Sequence, residues 1–167
     1  QNQLIYFFGV NWFGFEEPDH TVHGLWSRDY KEMISQIKSL GFNAVRLPFC
    51  PGTLRGQENP NLVTYGINED LHNKNSLEVL DAVMTELNNQ KIHILLDFHK
   101  FDCGGAITEL WYGNLSNPEE TEDSDGFYSE QDWIDDLVFV ATRYKFFTYF
   151  MGIDLKNCLL YTSDAAD

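Results

Sequence analysis

The chain has 167 residues, enough for one domain with a hydrophobic core, and 43% of them are hydrophobic, which indicates a globular protein. Its formal net charge of −15 argues against nucleic acids and anionic membrane surfaces as partners, because both bind clustered Lys and Arg. No apolar run approaches the roughly 18–20 residues that a membrane span requires. No signal peptide is visible, and because residue 1 is Gln rather than Met, we expect the true N-terminus to lie upstream.

Aromatic side chains are abundant: they make up 15% of the chain, with 4 Trp, 8 Tyr and 13 Phe. Aromatic faces stack well on the C–H faces of sugar rings, so this composition suits a carbohydrate ligand. The alternative is a large aromatic core, which we prefer for most of the Phe residues.

The first apolar run covers residues 4–10 and predicts a strand. After a long polar and aromatic loop, Ser27 is the predicted N-cap of a helix, with Asp29 in its first turn, and Gly41 is the predicted stop signal. The apolar face of this helix is predicted to be Tyr30, Met33, Ile34, Ile37 and Leu40.

The second run, residues 44–49, is closed by the sequence Cys-Pro-Gly at 50–52. Ser76 is the predicted N-cap of the second helix, and the third run covers residues 92–98. The apolar face of the second helix is predicted to be Leu77, Leu80, Val83, Met84 and Leu87.

A loop rich in Gly and acidic residues follows the third run. Ser129 and Asp132 fit a capping box at the start of a third helix, and the fourth run covers residues 149–155. The apolar face of the third helix is predicted to be Trp133, Leu137, Val140, Ala141 and Tyr144.

Four strands alternating with three helices predict an α/β fold with a parallel sheet. The predicted loops are long after the strands and short after the helices, which is typical of a (β/α)8 TIM barrel whose active site is built from the loops at the carboxyl ends of the strands. No Gly-rich phosphate loop follows the first strand, which argues against a nucleotide-binding fold. Because a full barrel needs about 250 residues, we expect a barrel truncated after strand 4.

Three polar residues at predicted strand ends are candidates for a site. Arg46 interrupts an apolar strand and suits pairing with a carboxylate, although it could also form a purely structural ion pair. His99 can donate to a sugar hydroxyl or share a proton with an acid, the alternative being a core histidine. Asn157 can hold a hydroxyl through its amide, but Asn is also a common turn residue. Asp97 is predicted to point to the face opposite His99 and to be structural.

Six segments in one order together resemble a glycoside hydrolase family 5 cellulase of the endo-β-1,4-glucanase type. They extend over most of the chain, and their order makes the resemblance specific. They are GVNWFGFE (9–16), VHGLWSR (22–28), QIKSLGFNAVRLPF (36–49), ILLDFH (94–99), LWY (110–112) and GIDLKN (152–157).

The resemblance implies a role for each matched residue. Arg46 matches an Arg that orients the nucleophilic Glu, His99 matches a His that contacts the sugar at the cleavage subsite, and Asn157 matches the Asn that binds the 2-hydroxyl of that sugar. Trp26 resembles a stacking platform, and Trp111 lines the cleft in this interpretation; packing under a long loop is the alternative for both. The implied partner is a β-glucan polysaccharide, cut by a secreted enzyme that we expect to be monomeric at full length.

The sequence departs from the family directly after Asn157, where Cys158 stands in place of the Glu that serves as acid/base. The nucleophilic Glu would come from a later strand. Glu16, Glu109 and the acidic run 119–125 are read as solvated loop charge rather than as substitutes. We therefore expect residues 1–157 to be the N-terminal half of a catalytic domain, inactive alone. Residues 158–167 show no helix period and no cap, and we expect them to be a non-native tail such as a read-through or adapter artefact, the alternative being an ordinary loop and helix start.

The three cysteines are too few and too scattered to predict a zinc site or a disulfide scaffold. A disulfide between Cys50 and Cys103 is conceivable, because both residues follow predicted strands. No metal or organic cofactor is predicted, since no His/Cys/Asp cluster has ligand spacing. Two other functions stay open: a mannanase or another family 5 glycosidase, and a non-catalytic carbohydrate-binding barrel.

Overall fold

The structure is a computed structural model that describes residues 4–56, 63, 66–108, 110–114 and 126–157. Its elements in chain order are β1 (Gly9–Asn11), α1 (Tyr30–Ser39), β2 (Ala44–Phe49), α2 (Pro51–Leu54), a 3-10 turn (Glu69–Leu71), α3 (Ser76–Asn89), β3 (His93–Phe98), β4 (Gly113–Asn114), β5 (Phe127–Tyr128), α4 (Glu130–Tyr144) and β6 (Phe150–Asp154). None of the helices in this part of the chain is long and apolar enough to cross a membrane.

The centre of the molecule is a four-stranded sheet in the order β1-β2-β3-β6, and every neighbouring pair is parallel. The strands β4 and β5 form a separate antiparallel pair in the long loop after β3. The connections after strands are long and those after helices are short, as the sequence predicts. The predicted α/β class with helices alternating along a parallel sheet is therefore confirmed.

The first strand is shorter than predicted: β1 covers Gly9–Asn11, so only residues 9 and 10 of the predicted run 4–10 enter the sheet. The backbone just before β1 does not pair as a strand and is bound by the side chain of Asn43. Phe8 N–H donates to Asn43 Oδ1 at 2.7 Å, and Asn43 Nδ2 donates to the Tyr6 carbonyl at 2.8 Å. Residues 4–8 are largely exposed as a result.

Two helix caps lie beside the predicted ones. The first helix is capped by Asp29, whose carboxylate accepts from Lys31 N–H and Glu32 N–H, and not by Ser27. The third helix, α3, is capped by Asn75 in a capping box with Glu78.

The predicted cap of α3, Ser76, is instead its first helical residue and donates its hydroxyl to the buried Thr53 carbonyl. For α4 the predicted capping box of Ser129 and Asp132 is confirmed. Asp132 accepts from the Ser129 backbone and hydroxyl, and these hydrogen bonds hold the pKa of its carboxyl below the usual range.

The hydrophobic core lies between the sheet and the helices. The predicted helix faces are confirmed in their centres but not at every end: Leu40 is 66% exposed because it is the C-cap of α1, and Ala141 is exposed on α4. The sheet contributes alternate residues to this core, all of them at most 1% exposed: Val45, Leu47, Phe49, Ile94, Leu96 and Phe98. The residues between them point to the opposite face.

A disulfide joins Cys50 to Cys103 and ties the loop after β2 to the loop after β3. The two Cα atoms are 5.4 Å apart, and 53 positions separate the residues in the sequence. Gly52 is needed beside it, because a Cβ there would lie 2.6 Å from Cys103 Sγ and 2.9 Å from His20 Cε1. The disulfide that the sequence analysis considered conceivable is therefore present.

Candidate active site

Polar side chains from the middle of β2 and from the carboxyl ends of β3 and β6 come together on the sheet face opposite the helices. Asp97 on β3 lies beside Asp154 on β6 in the strand register. Beyond the strands, His99 N–H donates to the Phe49 carbonyl at 3.0 Å and Asn157 N–H donates to the Phe98 carbonyl at 3.1 Å. These two hydrogen bonds continue the parallel pairing one step beyond the strands. They fix the backbone positions of His99 and Asn157, from which the two side chains project.

Arg46 is the hub of the cluster. Its Nη2 atom lies 2.8 Å from Asp97 Oδ2 and 3.1 Å from Asp154 Oδ2, and it donates to Asn157 Oδ1 at 3.1 Å. An arginine within a sheet is tolerated when its charge is compensated in this way. The prediction that Arg46 pairs with a carboxylate fits this geometry.

The hydrogen bonds of the cluster fix the state of His99. Its Nδ1 atom lies 2.6 Å from Asp97 Oδ2, and its Nε2 atom lies 3.3 Å from Asn157 Nδ2. Because the Asn157 oxygen accepts from Arg46, its NH2 group faces His99 and donates to Nε2. Nδ1 then carries the proton and donates to Asp97, so Arg46, Asp97, His99 and Asn157 form a closed hydrogen-bonded ring.

The side chains of this cluster differ in their exposure to solvent. The side chain of Asp97 has no exposed surface, whereas those of His99, Arg46 and Asp154 are 19%, 25% and 38% exposed. Within the part of the chain that the structure describes, Asp97 Oδ1 is buried without a hydrogen-bond partner. The buried Asp97 therefore anchors the cluster, and the other three side chains present polar atoms towards solvent.

The predicted orientation of Asp97 is wrong. Side chains in a strand alternate between faces, so residues 97 and 99 share a face and only residue 98 points away. Phe98 accordingly packs in the core against Phe49 at a centroid distance of 5.8 Å. The two-residue spacing in the sequence was the signal that could have placed Asp97 in the cluster.

The prediction that Glu16 is a solvated loop charge is wrong, because its side chain is buried and the residue is only 4% exposed. Its Oε2 accepts from Gly14 N–H at 2.6 Å. Burial raises the pKa of this carboxyl, while the Gly14 N–H bond and the nearby His99 act in the opposite direction. Glu109 and residues 119–125 lie outside the described residues.

Trp26, the predicted stacking platform, and Trp111, which is predicted to line the cleft, both lie outside the hydrogen-bonded ring. Trp26 is 39% exposed and continues a row of exposed aromatic rings: Phe13 lies 4.3 Å from His23, and His23 lies 4.3 Å from Trp26, between ring centroids. This surface can stack on a flat ligand. Trp111 is only partly buried and packs against Trp133 at 5.5 Å.

One grouping among the described residues has the ligand types for a metal ion, namely His20 with Cys50 and Cys103. Sequence reasoning missed it. The three residues are far apart in the chain, and His20 is placed by a loop turn in which its own φ is +50°.

The sequence matches the profile of the cellulase family, glycosyl hydrolase family 5, over residues 5–159. The chain belongs to this family. It is 50% identical over 149 residues to the major extracellular endoglucanase of Xanthomonas campestris pv. campestris, covering 89% of this chain and 28% of that protein.

Solved structures of family 5 enzymes agree with this assignment. The catalytic domain of the Xanthomonas endoglucanase superimposes with a TM-score of 0.81 at 48% identity, over 93% of this chain and 41% of that one. A cellotetraose complex of an endocellulase from Pyrococcus horikoshii superimposes with a TM-score of 0.82 at 40% identity, over 96% and 40% of the two chains. The chain thus spans well under half of the length of these relatives.

Proposed function

We propose that the chain is the N-terminal part of a retaining endo-β-1,4-glucanase, with residues 1–157 contributing the first half of its (β/α)8 catalytic domain. The observation that carries this proposal is the closed ring of Arg46, Asp97, His99 and Asn157 at the carboxyl ends of three parallel strands. In barrel enzymes this edge of the sheet holds the active site.

The ring gives each side chain a specific task. Asn157 is held between Arg46 and His99, so its amide is oriented to bind the 2-hydroxyl of the sugar at the cleavage subsite. In this proposal His99 contacts the sugar at the cleavage subsite, with its Nδ1 proton held by Asp97 and its Nε2 accepting from Asn157. Arg46 keeps its guanidinium at the exposed end of the ring, where it orients a nucleophilic carboxylate.

The reaction itself needs two carboxyl groups about 5–5.5 Å apart, one to protonate the leaving oxygen and one to form the glycosyl-enzyme. Under this proposal neither is supplied by the described residues. Cys158 stands where the acid/base Glu follows Asn157 in the family. We therefore propose that this polypeptide is inactive alone and that residues 158–167 are not native to the enzyme.

The proposed substrate is a β-glucan. Support comes from the cellotetraose bound by the Pyrococcus relative and from the exposed aromatic row that ends at Trp26. In this proposal Trp26 stacks on a sugar ring, and Trp111 lines the cleft. We further propose that the enzyme is secreted, as the extracellular Xanthomonas relative is, and that it acts as a monomer without a cofactor.

The test is a chimera that joins residues 1–157 to the remainder of the Xanthomonas catalytic domain, beginning with Glu at the position after Asn157. We expect it to release reducing ends from carboxymethylcellulose. In that chimera His99→Ala and Arg46→Ala should each lower kcat by about 100-fold or more, the scale of a lost catalytic proton or charge contact. The matched controls are His72→Ala and Arg28→Ala, which replace exposed residues outside the ring. Rates within about threefold of the parent in both ring variants would refute the assigned roles.

Two further measurements separate the alternatives. Activity of the chimera on mannan above that on cellulose would favour a mannanase. Sequencing the gene beyond codon 157 distinguishes an enzyme from a binding barrel, because Glu there supports the enzyme and Cys supports a non-catalytic carbohydrate-binding protein.

A further inference from the structure

A group of metal-ligand side chains lies apart from the proposed active site. His20, Cys50 and Cys103 come from the loops after β1, β2 and β3, and their ligand atoms all lie within 4.8 Å of one another. His20 Nδ1 is 3.9 Å from Cys50 Sγ, close to the separation of about 3.6 Å between nitrogen and sulfur ligands of a tetrahedral zinc ion. The cross-link between the two cysteines is what currently occupies their sulfurs.

A hydrogen bond to Thr53 holds the His20 ring beside the two sulfurs. Thr53 donates its only hydroxyl proton to the Phe15 carbonyl at 2.5 Å, so its oxygen accepts from His20 Nδ1–H at 3.0 Å. Histidine binds a metal through a ring nitrogen that carries no proton, so the proton must leave Nδ1 before that atom can become a ligand.

The group is also reachable. A surface cavity of about 400 Å³ is lined by His20, Cys103, Phe101, Asp102 and Asp132, among others. A small thiol reductant and a cation can enter it, and the two carboxylates together with the net charge of −15 favour a cation. Gly52 leaves no side chain between the histidine and the sulfurs.

We propose that reduction of the Cys50–Cys103 disulfide converts this group into a binding site for one thiophilic divalent cation of the Zn²⁺ class, held by both thiolates and the His20 ring. A dithiol reductant gives two electrons and two protons to the disulfide and leaves as its own cyclic disulfide. The cation then displaces the two thiol protons, and the His20 proton moves from Nδ1 to Nε2. The fourth position faces the cavity and is filled by water.

The experiment uses the full chain carrying Cys158→Ser, so that only the two cysteines of the site can supply thiols. The reduced chain is titrated with Co²⁺, and thiolate-to-cobalt charge-transfer absorption is recorded. Zn²⁺ is then competed against a chromophoric chelator. We expect one cation per chain after reduction and none before it, together with a higher Tm of the reduced chain when Zn²⁺ is present, because a ligand that binds only the folded state stabilises it.

Two variants test the ligand set. Cys103→Ser should abolish the charge-transfer band, and His20→Ala should weaken Zn²⁺ binding by about 10- to 100-fold. The matched control is His23→Ala, an exposed histidine three positions away that should bind Zn²⁺ as the parent does. Equal affinity in His20→Ala, or equal affinity in concentrated urea, where only unfolded thiols remain, would overturn the proposal. So would a reduced chain that loses its far-ultraviolet circular dichroism and does not regain it with Zn²⁺.

Discussion

The two faces of the parallel sheet use the same strands for different purposes. On β3 the residues facing the helices, Leu96 and Phe98, have no exposed surface and belong to the hydrophobic core cluster. The residues facing the other way, Leu95 and Asp97, lie on a surface that carries Arg46. One face is held by burial of apolar area and the other by a few charge contacts, so damage to the two faces should differ in kind as well as in size.

The largest expected effect comes from a matched pair of leucines on neighbouring positions of β3. Leu96→Ala should lower the free energy of unfolding by about 3–4 kcal/mol, because it leaves a cavity in a fully buried site. Leu95→Ala should cost about 1–2 kcal/mol, because that side chain is only half-buried.

Urea unfolding of the chain, followed by tryptophan fluorescence, measures both leucine variants. Equal losses would mean that the face opposite the helices is as tightly packed as the core. Reversal of the order would contradict the assignment of the two faces.

The next largest effect is expected from removing Asp97, the buried residue that anchors the polar face. Asp97→Ala removes the acceptor shared by Arg46 and His99 and should lower the free energy of unfolding by about 3 kcal/mol. The control is Asp154→Ala, which removes a contact to the same Arg46 Nη2 atom from a side chain that is 38% exposed and should cost less than about 1 kcal/mol.

The Asp97→Ala variant also tests whether the buried aspartate matters for activity. Asp97→Ala should also lower kcat of the chimera on carboxymethylcellulose, since it frees the His99 ring to turn. A variant that loses stability yet keeps full kcat would show that Asp97 is structural only.

The helix-covered face of the sheet could be predicted from the sequence, because the apolar residues that form it recur at regular spacing along the strands and helices. The predicted run 44–49 coincides with β2, since a mainly apolar run between Gly41 and the turn residues Pro51 and Gly52 leaves little choice. The caps of α1 and α3 were displaced by one or two positions, because Asp29 and Asn75 cap as well as serine does and only tertiary contacts decide. The Thr53 carbonyl, for example, takes the Ser76 hydroxyl away from capping.

The polar face was predicted only in part. Strand-end position and the family resemblance pointed to Arg46, His99 and Asn157, and the structure brings these three together. Glu16 was misjudged because a charged residue in a loop is usually exposed, and no periodicity reveals that this loop folds back over its own carboxylate. Likewise, the approach of His20 to two distant cysteines depends on loop geometry that has no sequence period.

The smallest expected effect concerns Glu16, which brings a buried carboxyl close to the polar cluster. Burial raises its pKa in the folded state, so folding favours the protonated form. The stability that this group contributes is therefore fully present below the usual glutamate pKa of about 4.3 and is lost as the pH rises through the raised value.

Glu16→Gln keeps an oxygen for Gly14 N–H but carries no charge, so its effect on Tm should depend on pH. Near pH 3 the variant and the parent should melt alike, and towards pH 7 the variant should become progressively more stable relative to the parent. Tm measured across this range on the chimera gives the difference, with Glu69→Gln at an exposed position as the control. If the Tm difference between Glu16→Gln and the parent is the same at every pH, the buried carboxyl does not titrate over this range.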